Sequence, residues 1–162
     1  MSHTIRIDSV RYIPTISEGF ESGNLQVDSA VTFVGREWGF DFDPSNAHEG
    51  NASLRSPIID AGQSSTMKLE ASASSEGSLI SFWYRTSVFM PIDKFTFKIN
   101  GTQWIGVSTQ QDGWKKFTTV LSPGQSILEW SYVSSPTSIA QQFDHPGEGR
   151  VWIDDILIVP KA

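Results

Sequence analysis

The feature that most constrains the fold is an apolar segment near the C-terminus, residues 149–159, which two adjacent acids interrupt. Its alternating aliphatic positions are Val151, Ile153, Ile156 and Ile158. Because strand side chains alternate between two faces, both aliphatic pairs can share a face only if a β-bulge adds one residue at Asp154-Asp155. Carboxylates in an apolar strand are costly unless something neutralises them. Two interpretations remain open: the acids bind a hard cation such as calcium, or they point to solvent at a strand kink.

Length and charge limit the classes of partner. The 162 residues suit one domain with a single core, and we expect a lead-in segment over residues 1–15 followed by one domain over residues 16–160. The net charge is -6 and no basic run exceeds the pair Lys115-Lys116, which argues against nucleic acid and anionic membranes. The absence of cysteine excludes disulfides and thiolate metal sites. No apolar segment approaches the length of a membrane span, so no membrane insertion is expected.

Short alternating segments separated by turn residues predict an all-β fold of about nine or ten strands without a convincing helix. The clearest segment is residues 79–85, in which Phe82 and Tyr84 face one way while Trp83 and Arg85 face the other. Asn100-Gly101 supplies the two positive φ angles of a type I′ turn and predicts a hairpin at that point. Alternating apolar and polar positions favour antiparallel sheets, so the predicted fold class is an antiparallel β-sandwich.

Several short motifs follow one another in a distinctive order: Phe20-Glu21-Ser22-Gly23, Trp38, residues 47–56, residues 80–85, Ile99-Asn100-Gly101, Leu121-Ser122-Pro123-Gly124 and residues 152–156. Over roughly residues 16–159 this series resembles the MAM-like jelly-roll domains of large bacterial, and sometimes phage, surface proteins. It is similar, more distantly, to calcium-containing jelly-roll carbohydrate-binding modules. The resemblance implies a jelly-roll sandwich of concanavalin A-like or galactose-binding-like architecture. It also implies an extracellular, cell-surface or virion location within a longer chain.

The same resemblance implies a structural calcium that joins the first strand, a loop and the last strand. By matching position, its ligands would be the carbonyls of Gly19 and Asn51 and the carboxylates of Glu21 and of Asp154 or Asp155. Carboxylate and carbonyl oxygens are the ligands that calcium takes. The sequence departs from the pattern at Glu18-Gly19, where such modules usually carry Asn or Asp, and this departure puts the first carbonyl ligand in doubt.

Aromatic residues supply the candidate ligand face. Aromatics make up 12% of the chain, and we expect at least four of the six tryptophans to lie in the core. With Phe82 in the core, Trp83 and Arg85 lie on the outer face of their strand, and Trp104 follows the hairpin tip. Trp83, Arg85 and Trp104 are therefore the candidate residues for binding a glycan. An architectural or adhesion module that contacts protein neighbours is the alternative.

Catalysis is the third and least favoured interpretation. Glu37, Asp41 and Asp43 bring three carboxylates to one segment, but their spacing does not match the pattern of sandwich glycosidases. The turn at Asp43-Pro44 is a sufficient structural reason for Asp43. The three histidines, His48 among them, have no partner at metal-ligand spacing. The chain is therefore predicted not to be an enzyme.

Overall fold

The computed structural model describes residues 16–25, 30–88, 93–109, 113–134 and 149–161. Within these ranges the regular structure consists of eleven strands and one short 3-10 helix, Pro44–Asn46. The strands are β1 (Ile16–Glu18), β2 (Val31–Val34), β3 (Gly39–Asp41), β4 (Ser53–Arg55), β5 (Ser64–Ala73), β6 (Ser78–Ser87), β7 (Lys94–Ile99), β8 (Thr102–Val107), β9 (Lys115–Leu121), β10 (Gly124–Val133) and β11 (Arg150–Pro160). The lead-in segment, residues 1–15, lies outside the described residues, so its boundary stays a prediction.

The strands form two antiparallel sheets that pack as a sandwich. Sheet A has the order β3-β4-β11-β6-β9, with β1 also paired to β11. Sheet B has the order β2-β5-β10-β7-β8. The predicted all-β antiparallel jelly-roll sandwich is thereby confirmed. Among the described residues no helix is long and apolar enough to cross a membrane.

Aromatic rings from both sheets fill the centre of the core. Phe82 of β6 contacts Phe97 of β7 and Trp130 of β10, with ring centroids 4.8 and 5.4 Å apart. All three side chains are fully buried. These rings alternate with polar residues along their strands, because side chains of a strand point to opposite faces. The inward rings therefore join the sheets, and the outward positions are left to carry function.

The predicted bulge in β11 is present. Pairing between β11 and β6 shifts register between Asp154 and Leu157, and Asp155 has a φ of 50°. As expected, the four alternating aliphatic side chains of β11 are all buried. β6 pairs with one edge of β11. Along the other edge, residues 152–153 pair with β4 and residues 156–158 pair with β1. The two acids consequently lie in the gap between β4 and β1.

The hairpin prediction agrees with the structure, whereas the tryptophan prediction does not. Asn100 and Gly101 have φ values of 49° and 83° and join β7 to β8. The expectation of at least four buried tryptophans is wrong. The structure buries Trp38, Trp130 and Trp152, half-buries Trp83 and Trp114, and leaves Trp104 52% exposed. The half-buried rings lie on or beside the outer face of sheet A, where strand alternation places them away from the core.

Candidate functional site

Asp154 holds one side of the loop that covers the β11 bulge. Its side chain is fully buried, and its Oδ2 accepts hydrogen bonds from the backbone N–H groups of His48, at 2.9 Å, and Glu49, at 3.3 Å. Its Oδ1 accepts a bond of 2.8 Å from the N–H of Asp155. A buried carboxylate is tolerated when such donors surround it. For Asp154, the alternative in which the acids simply point to solvent is therefore wrong.

Glu21 holds the other side of the same loop. Its Oε1 accepts a hydrogen bond of 2.8 Å from the N–H of Asn51, and its Oε2 accepts one of 2.9 Å from the N–H of Ala52. Glu21 and Asp154 thus bind four backbone N–H groups of residues 48–52. We call this segment the carboxylate-held loop. The Phe-Glu motif and the C-terminal acids, which are far apart in sequence, meet on this loop.

Asp155 lies beside two residues that the sequence did not connect with it. His48 Nδ1 is 2.8 Å from Asp155 Oδ2, and ligand atoms of His48, Glu49 and Asp155 all lie within 4.8 Å of one another. Gly19 is also adjacent, since a Cβ built on it would lie 3.6 Å from Asp155 Oδ1. The inference that no histidine has a metal-ligand partner is corrected here. No sequence signal could have revealed the group, because 107 residues separate His48 from Asp155.

The negative charge of this cluster is only partly compensated. Burial, followed by repulsion from Asp155, raises the pKa of Asp154 to about 7 despite its hydrogen bonds. Burial also raises the pKa of Asp155, and the charges of Glu49 and Glu21 add to the effect. Carboxyl groups that share a site disfavour each other's ionised form. The site therefore favours either protons or a cation.

The raised pKa values predict that the protein loses stability as pH rises in the absence of divalent cations. Between about pH 4 and about pH 7 the folded state binds more protons than the unfolded state, so the free energy of unfolding falls with pH. The loss from Asp154 is at most about 4 kcal/mol, since one pKa unit corresponds to about 1.4 kcal/mol. Urea denaturation in a chelating buffer, repeated at several pH values between about 4 and about 7, measures this loss of stability. We expect a shallower dependence in Asp154→Asn, and stability that rises with pH in the wild type would contradict the assignment.

The carboxylate-held loop places His48 on the candidate ligand face. The imidazole of His48 stacks on the indole of Trp83 with centroids 3.8 Å apart and planes at 16°. The rings of His48 and Trp114 form a T-shaped pair with centroids 5.8 Å apart, and Lys116 Nζ is 5.9 Å from the Trp83 centroid. A cavity of about 310 Å³ adjoins this group and is lined by Trp83, Lys116, Glu49 and Asp155 among others. Aromatic surface and charged groups therefore meet at one place.

Arg85 is on the same strand face as Trp83 but is occupied by structural contacts. Its guanidinium lies 4.2 Å from the ring centroid of Trp152, and its Nη2 donates a hydrogen bond of 2.6 Å to Asn46 Oδ1. Its Nε is buried and has no partner among the described residues. Trp152 is an outward residue of sheet A, yet it is buried. The stacked guanidinium helps to cover it.

Trp104 lies apart from the other two candidate ligand residues. It belongs to β8, an edge strand of sheet B, whereas Trp83 and Arg85 belong to β6 of sheet A. Its ring and that of Phe117 form a T-shaped pair with centroids 6.2 Å apart. The structure therefore brings Trp83 and Arg85 together but does not unite all three on one sheet.

Two of the three acids considered for catalysis, Asp41 and Asp43, have structural roles. Asp41 is buried and accepts hydrogen bonds from Trp152 Nε1, at 2.9 Å, and Asn46 Nδ2, at 3.1 Å. Burial alone would raise the pKa of Asp41, but the bonds from Trp152 and the Asp43 backbone and the charge of Arg55 lower it below its usual value. Asp43 caps the short 3-10 helix through the N–H of Ser45. Asp41 therefore lacks the raised pKa that a general acid needs.

Comparisons with known proteins find similarity in the fold and not in the sequence. No protein-family model and no curated protein matches the sequence. The carbohydrate-binding module TmCBM61, solved in complex with β-1,4-galactotriose, superposes with a TM-score of 0.62 at 16% identity over 92% of this chain and 99% of its own. This chain shares the fold of that module.

Two further solved structures support the same conclusion. The xylan-binding domain CBM22-1 of Xyn10C from Paenibacillus barcinonensis has a TM-score of 0.60 and 18% identity over 93% of this chain and 97% of its own. The K3 cleaved adhesin domain of Lys-gingipain from Porphyromonas gingivalis has a TM-score of 0.62 and 12% identity over 92% and 100%. Identities this low establish a common fold only. Function must be argued from the site.

Proposed function

We propose that this chain is a non-catalytic glycan-binding module of a surface or virion protein. The observation that carries the proposal is the cavity beside Trp83, where an indole ring meets the charged groups of Lys116, Glu49 and Asp155. Sugar rings present apolar C–H faces to aromatic rings and hydroxyl groups to polar side chains, so a glycan site needs both. The fold shared with solved carbohydrate-binding modules supports the same class of ligand.

The contacts of His48 hold the ring of Trp83 in place for binding a sugar. Stacking at 3.8 Å and the bond from His48 to Asp155 fix the plane of the indole before a ligand arrives. A preorganised ring loses little conformational freedom on binding. Glu49 can accept a hydrogen bond from a sugar hydroxyl and Lys116 can donate one. Arg85 contributes by supporting this face, and Trp104 is a separate candidate on the other sheet.

We expect Trp83→Ala to weaken glycan binding about tenfold or more, because a lost ring contact of about 1.4 kcal/mol has that effect. A glycan array first identifies the sugars that the wild type retains, and calorimetry then compares the variants. Trp104→Ala is the matched variant of another exposed tryptophan. If its binding is unchanged, the site is confined to sheet A, whereas a loss extends the site to β8. Retention of no sugar by the wild type would remove the proposal.

A structural calcium at the β11 bulge is part of the proposed function. The carboxylates of Glu21, Asp154 and Asp155 and the carbonyls of Gly19 and Asn51 are the proposed ligands. The acidic residues near the bulge support this ion: Glu18, Glu49 and Asp155 line one cavity, and Glu21 and Asp154 hold the loop beside it. Each carboxylate oxygen that accepts one backbone bond keeps a second lone pair for a cation. Bound calcium would tie β1, the carboxylate-held loop and β11 together.

Adding calcium to the chelated protein is expected to raise its melting temperature by about 5–10 °C at a hundredfold excess over Kd. Differential scanning calorimetry measures this shift. Asp155→Asn should reduce it. Asp60→Asn, which removes an exposed acid near Arg36, is the matched control and should leave it intact. An unchanged melting temperature in the wild type would exclude the ion.

An adhesion module that contacts protein neighbours is the second candidate. The specific observation in its favour is the shared fold with cleaved adhesin domains of Lys-gingipain. A MAM-like module of a bacterial or phage surface protein would belong to this class. Glycan retention that depends on Trp83 favours the first candidate, and protein capture with no glycan retention favours the second.

A further inference from the structure

A second cavity opens at the edge of the sandwich, away from the cavity beside Trp83. It has a volume of about 590 Å³, within the range of about 300–1,000 Å³ typical of small-molecule sites. It lies between β2, an edge strand of sheet B, and β3, an edge strand of sheet A. We call it the edge cleft. Within the described part of the chain β2 and β3 belong to different sheets and do not pair with each other, so the cavity lies between two strand edges.

A row of aromatic side chains on the segment that contains β3 borders the edge cleft. Trp38 and Phe40 line it, and Trp38 is buried while Phe40 is half-buried. Phe42 is 58% exposed and stacks on Phe40 with centroids 6.0 Å apart and planes at 18°. Phe42 also reaches Gly23 across the mouth, since a Cβ there would lie 3.4 Å from its Cζ. An exposed stacked ring beside a cavity offers an apolar face that a ligand ring can contact.

Hydrogen-bonding groups accompany the rings. Asn24, Thr32 and Glu37 line the cleft and are exposed. The indole Nε1 of Trp38 is buried and has no hydrogen-bond partner among the described residues. An unpaired buried donor of this kind destabilises the folded protein. A ligand hydroxyl that reaches the floor of the cleft would supply the missing acceptor.

The negative charge at the edge cleft favours neutral glycans over anionic ones. Among the described residues its lining includes Glu37 and no lysine or arginine. The neighbouring Arg36 is held outside by the carbonyl of Ile58, at 2.7 Å, and by Asp60, at 4.0 Å. An anionic sugar would therefore meet Glu37 without a compensating cation in a protein of net charge -6.

We propose that the edge cleft is a second binding site for a neutral glycan segment, in which Phe40 and Phe42 contact the sugar face and Trp38 reaches a sugar hydroxyl. This inference rests on the proposed glycan-binding function and adds a site distinct from the cavity beside Trp83. The two sites lie on different parts of the sandwich, so single variants separate them.

The test compares affinities for neutral probes, β-1,4-galactotriose, xylo-oligosaccharides and cello-oligosaccharides, and for oligogalacturonate as an anionic probe, by affinity electrophoresis and calorimetry. We expect Phe42→Ala to lower the affinity for the retained neutral probe about tenfold. Trp38→Phe keeps an aromatic side chain but replaces the indole with a smaller ring that has no N–H. It should lower the affinity severalfold, and the melting temperature is measured beside it to separate binding from packing. Ile127→Ala, which trims an exposed apolar side chain of sheet B, is the matched control and should bind as the wild type does.

Each outcome has one meaning. Wild-type binding that Phe42→Ala and Trp38→Phe leave unchanged, but that Trp83→Ala weakens, overturns the edge cleft and keeps the proposed function. A wild type that retains none of the probes overturns both. Stronger retention of oligogalacturonate than of every neutral probe overturns the assignment of a neutral ligand. A melting temperature lowered in Trp38→Phe without any change in affinity shows that Trp38 serves packing alone and also counts against the cleft.

Discussion

Phe82→Ala is expected to lower the free energy of unfolding by about 3–5 kcal/mol, the range for a large aromatic removed from a packed core. The ring of Phe82 is fully buried and contacts Phe97, Phe117 and Trp130 at centroid distances of 4.8, 5.3 and 5.4 Å. These partners come from both sheets, so the cavity left behind cannot close by movement of one strand.

Urea denaturation followed by tryptophan fluorescence measures the loss in Phe82→Ala. Val120→Ala is the control, because Val120 lies on the adjacent strand β9 and is 51% exposed. We expect the control to change stability by about 0.5 kcal/mol or less. If Phe82→Ala lost under about 1 kcal/mol, its ring would not be the central contact between the sheets.

Gly50→Ala is expected to disrupt the carboxylate-held loop. Gly50 has a φ of 70°, and an added Cβ would lie 2.5 Å from Glu21 Oε1. The methyl group would therefore push the Glu21 carboxylate away from the N–H groups of Asn51 and Ala52. The strain of the left-handed backbone costs about 1–2 kcal/mol, and two disrupted hydrogen bonds cost about 1 kcal/mol each. The free energy of unfolding should therefore fall by about 3–4 kcal/mol.

Gly101→Ala is a control with the same backbone strain. Gly101 has a φ of 83° in the β7–β8 turn, and nothing lies within 4 Å of an added Cβ. Its loss of stability in urea denaturation should equal the strain alone, about 1–2 kcal/mol. The difference between the two variants isolates the contribution of Glu21. Equal losses would mean that Glu21 does not hold the loop.

Local patterns in the sequence were sufficient for the strands and the bulge. The alternation of Val151 and Ile153, followed by the out-of-step Ile156 and Ile158, has one geometric solution, and the structure contains it. Asn100-Gly101 likewise fixed the hairpin, because few dipeptides adopt two positive φ angles. In both cases the information lies within a few residues, where chain geometry limits the choices.

The candidate site could not be predicted in the same way, because it is formed by contacts between residues that are far apart in the sequence. His48 and Glu49 join Asp155 only because β1 and β4 leave a gap on the same edge of β11. Trp83 was predicted to lie on the outer face, but its stacking with His48 was not, since 35 residues separate them. Trp152 alternates outward in β11 and is nevertheless buried, because Arg85 lies over its ring.

By itself the sequence determined the antiparallel sandwich, the hairpin and the position of the β11 bulge, since alternation and turn chemistry act between near neighbours in the chain. Only the tertiary structure decided which groups neutralise the acids of the bulge and where an open cleft lies between the sheets. These features depend on which strands become edges and which loops cross them. Side-chain alternation does not determine which strands become edges, because every strand order that buries the same faces is consistent with the same alternation.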